Sequence, residues 1–135
     1  LSDSIDQIET IPQTMEKFLG CSGQMIKPSF KTVKSIVNKI DKGSLMTLEQ
    51  LRAKLASQNK VETACPASTL KALKIISKEA NPACYWRVIK KNGMLISQFS
   101  GGLVSHARLL EKEGFNVNYD KKHPSILNYE IHLVK

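Results

Sequence analysis

After Pro28 the apolar positions of the chain fall into helical register. Val33, Ile36, Val37 and Ile40 recur at i, i+3, i+4 and i+7, one face of an amphipathic helix that Asp41-Lys42-Gly43 brings to an end. A second helix is expected from Thr47, whose hydroxyl suits an N-cap, with Gln50 three residues on to complete a capping box. Leu48, Leu51 and Leu55 form its buried stripe. A third helix is expected over 66–80, opened by Pro66 because proline loses nothing by lacking an N–H at the first helical position. Leu70, Ala72, Leu73 and Ile76 face its core side, while Lys71, Lys74 and Lys78 share a different face.

Beyond residue 84 the period shortens. Residues 85–89 and 94–98 read as two strands joined by a turn over 90–93 and centred on Asn92-Gly93, a dipeptide that suits a hairpin. Gly101-Gly102 leads into a helix over 103–113, which Gly114 stops at the C-cap. Leu127, Tyr129, Ile131 and Leu133 alternate with Asn128, Glu130 and His132, the pattern of a half-buried strand. Residues 115–119 would pair with it across Lys121-Lys122-His123-Pro124. The first 26 residues show no such pattern. Pro12, Gly20 and Gly23 interrupt them and leave room for a short helix at 14–19.

These elements predict an α+β fold, mainly helical: a winged helix-turn-helix with a β-hairpin wing and a C-terminal strand. Three segments follow. Residues 1–26 form an N-terminal extension, 27–118 the winged-helix domain and 119–135 a C-terminal strand segment packed on it. A lysine stripe on the second helix of a helix-turn-helix suits nucleic acid, and it equally suits the wet side of any helix.

Charge changes the picture more than composition does. Asp3, Asp6, Glu9 and Glu16 oppose only Lys17 in residues 1–26, so that segment carries −3 and the chain's net +8 becomes +11 over the remainder. A basic body of this size suits a polyanion, most simply nucleic acid. Cys21, Cys65 and Cys84 are odd in number and lack a C-x-x-C pair, which argues against a disulfide framework and against a zinc site. No metal or other cofactor is expected. Free thiols and the absence of a membrane-length apolar run point to the cytoplasm, with no membrane partner.

Residues 42–114 resemble the DNA-binding domain of alkylguanine-DNA alkyltransferases and alkyltransferase-like proteins. The likeness runs through Lys42-Gly43-Ser44-Leu45, the helix opened by Pro66, Arg87-Val88-Ile89, Phe99-Ser100-Gly101-Gly102-Leu103 and Leu109-Leu110-Glu111-Lys112-Glu113-Gly114. The family's corresponding stretches read like Tyr-Ser-Gly-Gly-Leu and Leu-Leu-x-x-Glu-Gly at the same separation. This resemblance implies DNA binding through the helix opened by Pro66.

The departures bear on chemistry. Active family members carry Pro-Cys-His-Arg-Val, where the cysteine accepts the alkyl group and the histidine relays its proton. Alignment on Arg87-Val88 places Cys84 at the proline, Tyr85 at the nucleophile and Trp86 at the histidine. A phenol with a pKa of about 10 is a poor nucleophile near neutrality, and an indole takes up no proton. A one-residue shift along a strand would also point Cys84 to the opposite face. Glu113, which supports the histidine in the enzymes, is expected to be structural here. The family's intercalating arginine corresponds to Leu70, and the tyrosine that crowds the flipped nucleotide corresponds to Leu48. Leu70 reads either as an apolar wedge or as a core leucine; Tyr85 and Trp86 either line a base pocket with Ser100 or belong to the core.

The reading is a non-catalytic binder of double-stranded DNA that senses alkylated or distorted duplex. Phosphate contacts are expected from Lys71, Lys74 and Lys78 on the helix and from Arg87, Lys90 and Lys91 in the wing. Two alternatives stand beside it. One is a protein-interaction module, with a repair or regulatory protein as partner, that has lost DNA. The other is an active alkyltransferase using Cys84.

Overall fold

The computed structural model describes residues 5–120 and 122–135. Asp3 and Lys121, which entered the readings of charge and of the C-terminal connection, lie outside them. Strand β1 (Gln7–Thr10), helix α1 (Gln13–Leu19) and strand β2 (Gln24–Lys27) come first. They are followed by α2 (Phe30–Val37), β3 (Met46–Thr47), α3 (Leu48–Asn59), β4 (Thr63–Ala64) and α4 (Pro66–Ser77). Then come β5 (Val88–Ile89), α5 (Gly102–Lys112), β6 (Val117–Asn118) and β7 (Ser125–Ile126).

The three central helices form where the apolar pattern placed them. Val33, Ile36 and Val37 of α2 are buried against Leu51 and Leu55 of α3, Ala72, Leu73 and Ile76 of α4, and Val88, Ile96 and Phe99 from the second half. Ser29 caps α2 by accepting from the Thr32 amide at 3.2 Å. The Thr47 capping box closes in both directions: Thr47 Oγ1 accepts from the Gln50 amide at 3.1 Å, and Gln50 Oε1 accepts from the Thr47 amide at 3.0 Å. Gln50 then donates from Nε2 to the Val134 carbonyl at 2.9 Å, which ties the C-terminus to the start of α3.

Residues 7–27 of the N-terminal segment are built into the fold. β1 and β2 are antiparallel, and β2 pairs in parallel with β4, so residues 24–27 sit in one sheet with the connection between α3 and α4. Ile11, Met25 and Cys65 bury a small cluster beneath this sheet. Asp6 accepts from the Ser29 amide at 2.7 Å and from the Thr32 hydroxyl at 2.8 Å, placing a carboxylate at the N-terminus of α2, where the helix dipole favours it. The pairing joins residues far apart in sequence, which no local periodicity reports.

The hairpin wing is corrected. Residues 85–87 make a single 3-10 turn, and Val88–Ile89 pair in parallel with Met46–Thr47 instead of antiparallel with 94–98. Both Val88 and Ile89 are fully buried, so their β-forming character reflects burial on two faces. The Asn92-Gly93 turn does form: both residues have positive φ (65° and 77°), and the Lys90 amide donates to the Met94 carbonyl at 2.9 Å. Pairing stops there, because Met94 bridges to Ser125 and the Leu95 amide donates to the Pro124 carbonyl.

The C-terminal strand over 127–133 is corrected as well. Asn128 takes a left-handed conformation (φ 55°), and Tyr129–His132 form a 3-10 turn. Tyr129 and Leu133 reach the second core cluster, around Leu45, Ile89, Leu95 and Leu110, while Ile131 stays 78% exposed. The spacing of Tyr129 and Leu133 is four, which a strand and a helical turn both satisfy. Strand pairing uses the preceding residues instead, Val117 with Ile126 and Asn118 with Ser125.

Candidate nucleic-acid interface

Helix α4 carries most of the predicted contacts. Its first turn follows β4 through Cys65, whose amide donates to the Ile26 carbonyl at 2.8 Å and whose carbonyl accepts from the Thr69 amide and hydroxyl. The helix is therefore anchored at its start, with Ala72, Leu73 and Ile76 turned into the core. Lys71 and Lys78 are exposed and Lys74 is half-buried. Among the described residues neither Lys74 nor Lys78 forms an ion pair.

Leu70 and Leu48 come together. They line one cleft of about 310 Å³ with Pro66, Ala67 and Thr69, and Glu49 and Arg52 stand at it too. Both leucines are half-buried and pack on the main core from outside. Leu70, Lys74 and Lys78 follow one another at intervals of four, so the apolar cleft and two cations share one side of the helix. Arg52 was missed in sequence: its Nε donates to the Ala64 carbonyl at 2.9 Å and its second terminal nitrogen to the Thr63 hydroxyl at 3.2 Å. It clamps the connection between α3 and α4, and nothing in the local pattern marks that role.

Four side chains at and beside the 85–87 turn form a chain of rings. Trp86 and Tyr85 meet edge to face with centroids 5.3 Å apart, Tyr85 and Phe99 at 4.9 Å, and Phe99 and His106 at 4.9 Å. Tyr85 is 5% exposed and belongs to the core; burial pushes its phenol above the ordinary range. Trp86 is half-buried. Ser100 is exposed, and its amide donates to the Ser77 hydroxyl at 3.0 Å, joining the start of α5 to the end of α4.

His106 was also missed. It is fully buried, accepts at Nδ1 from the Ile96 amide at 3.0 Å, and so donates from Nε2 to the Trp86 carbonyl at 2.8 Å. Burial lowers its pKa to about 4, which leaves a neutral imidazole with both nitrogens engaged. Cys84 is half-buried at the head of the 85–87 turn, and among the described residues no hydrogen bond reaches its Sγ.

Arg87 turns inward. Its Nε and one terminal nitrogen donate to the two carboxylate oxygens of Glu113 at 2.9 and 2.7 Å, and the other terminal nitrogen donates to the Ile40 carbonyl at 2.6 Å. The two side chains are only 11% and 10% exposed. Burial alone would raise the Glu113 carboxyl, but the Arg87 fork outweighs it and holds the group below the usual range. The guanidinium carbon also sits 5.8 Å from the Trp86 ring centroid. Lys90 is half-buried and Lys91 exposed at the 90–93 turn. Thus the structure places Lys71 and Lys74 on α4 and Lys78 at its C-cap, with Lys71 lining a cleft against Gln7 and Lys27, leaves Lys90 and Lys91 on a separate turn, and takes Arg87 into the interior.

Two solved structures match the fold. S. pombe Atl1 in complex with damaged DNA containing O6-carboxymethylguanine aligns at 20% identity with a TM-score of 0.63. S. pombe ATL in complex with DNA aligns at 17% identity with a TM-score of 0.60. In each case 78% of this chain and 94% of the other are covered. The chain shares their fold. No protein-family model matches the sequence, and no curated protein does. Among the described residues no three His, Cys, Asp or Glu side chains are grouped to hold a metal ion, and no helix is long and apolar enough to cross a membrane.

Proposed function

We propose that this protein binds double-stranded DNA without modifying it, as an alkyltransferase-like protein does, and prefers distorted or alkylated duplex. One observation carries the reading: Lys74 of α4 and Lys78 at its C-cap follow Leu70, which lines the cleft with Leu48, at intervals of four, in a fold shared with two DNA-bound proteins. Lysines along the helix would hold phosphates, and Leu70 would press on a base step that is already loosened. Lys90 and Lys91 add a second phosphate contact from the 90–93 turn. Arg87 is left out of the contact set, because its fork is already occupied by Glu113 and the Ile40 carbonyl.

The non-catalytic half of the reading rests on proton chemistry. Alkyl transfer by Cys84 needs a base to take the thiol proton; Arg87, the cation that acts on this thiol, is committed to the Glu113 carboxylate and accepts no proton. His106 is neutral and engaged at both nitrogens, and Tyr85 is buried with a raised pKa. Binding with no gain of mass on the protein after incubation with alkylated DNA is the expected result, and a stoichiometric gain on Cys84 would refute it.

A protein partner is the second reading, favoured by an apolar surface on the N-terminal unit: Phe18 is 79%, Ile5 64% and Ile8 45% exposed. A repair or regulatory protein docking there would leave the α4 side open for DNA. Removing the bulk with Phe18→Ser should then abolish co-purification of that partner while DNA affinity stays unchanged.

A further inference from the structure

The C-terminal chain crosses the 90–93 turn and is fixed to it. Met94 bridges to Ser125, and the Leu95 amide donates to the Pro124 carbonyl at 3.1 Å. On the far side Tyr129 lies against the turn so closely that a Cβ on Gly93 would come within 2.7 Å of its ring. Gly93 also has a φ of 77°, so the position demands glycine on two counts. Turn and tail therefore keep one relative placement.

That placement opens two adjoining clefts that share Met94 and His123. The larger, of about 590 Å³, has Lys122, His123 and Asn92 on its walls with Tyr129 and one acid, Glu130. The smaller, of about 200 Å³, continues past His123 to Lys90 and Ser97. Lys90 and Lys122 are 32 positions apart in sequence, and among the described residues neither forms an ion pair. Cations drawn from two segments onto one trench, with a single carboxylate among them, make a site for a polyanion and not a dispersed wet surface.

We infer that this trench, built by the C-terminal segment against the 90–93 turn, is a further phosphate-backbone contact for the duplex held by α4. The inference rests on the DNA reading above and extends it to residues that carry no resemblance to any family motif. Lys90 enters the backbone track from the turn, and Lys122 and His123 continue it along the tail. The recognised chemistry is the phosphodiester backbone, so the contact adds affinity and no sequence preference.

The test is a fluorescence-anisotropy titration of the full chain with a labelled 20-base-pair duplex, at salt from 50 to 200 mM, for three proteins. These are the wild type, Lys122→Gln/His123→Gln, and Lys74→Gln/Lys78→Gln. Both double variants alter solvent-accessible side chains, and their melting curves should match the wild type. The inference expects the tail variant to reduce the magnitude of the log–log salt slope by about 1, with affinity at 100 mM salt falling roughly tenfold. A tail variant that keeps the wild-type slope while the α4 variant loses slope would overturn the trench and leave the α4 reading intact. Loss of slope in the tail variant alone would support the trench and remove α4 from the interface. A wild type that does not bind at 50 mM salt would overturn both.

Discussion

The Arg87 guanidinium grips both oxygens of Glu113, at 2.9 and 2.7 Å. The pair is nearly buried, and the other terminal nitrogen of Arg87 donates to the Ile40 carbonyl beyond α2, so it joins three parts of the chain.

Breaking that pair from one side leaves a buried charge unmatched. Glu113→Gln should lower the unfolding free energy by about 3 kcal/mol, and Arg87→Met by a similar amount. The double variant Arg87→Met/Glu113→Gln should lose markedly less than the sum. Urea denaturation of the three variants measures this, and simple additivity would mean that the two groups do not depend on each other.

His106 makes stability depend on pH with a definite sign. The imidazole is held neutral with a pKa of about 4, against about 6.5 in the unfolded chain, so the unfolded state binds the extra proton between those values. Its contribution is complete above pH 6.5 and is lost as pH falls toward 4, at up to about 1.4 kcal/mol per pH unit. Denaturation series at pH 4.5, 5.5 and 6.5 should show this decline, and His106→Gln should flatten it. A variant that declines as steeply as the wild type would place the effect elsewhere.

Under the proposed function Leu70 acts on DNA in addition to packing on the core. It is half-buried, and Leu70→Ala should cost about 1 to 2 kcal/mol of stability, below the range of a fully buried leucine. The same change should cost several-fold in affinity for a mismatched duplex and little for an intact one. Equal losses on both duplexes would assign Leu70 to packing alone.

The helices were legible because their chemistry is local. Thr47 and Gln50 announced their capping box three residues apart, and Val33, Ile36 and Val37 announced one face. The stretches that misled are those in which period two was the only signal. Val88-Ile89 is buried on both faces and pairs with Met46-Thr47, and the alternation at 127–133 conceals a 3-10 turn entered through Asn128. Of the contact residues, the α4 lysines could be placed from helical spacing. Arg87 could not, because its partner Glu113 lies 26 residues away, and the trench could not, because it depends on Pro124 and Ser125 meeting residues 94 and 95.

Cys84 should stay unmodified. After incubation with duplex carrying an O6-alkylguanine, intact-protein mass spectrometry should return the starting mass, since neither His106 nor Tyr85 is free to take the thiol proton. A gain of one alkyl group on Cys84 would contradict this.

The central claim is that α4 and the 90–93 turn hold duplex DNA by its phosphates. The most direct measurement is the salt dependence of binding to intact duplex and to the same duplex bearing one alkylated guanine. With Lys71, Lys74, Lys78, Lys90 and Lys91 engaged, the log–log slope should be about −4.5 on both, steeper by about one if Lys122 also contributes, with the altered duplex bound more tightly at every salt concentration. No binding at low salt, or a slope near zero, would contradict the account.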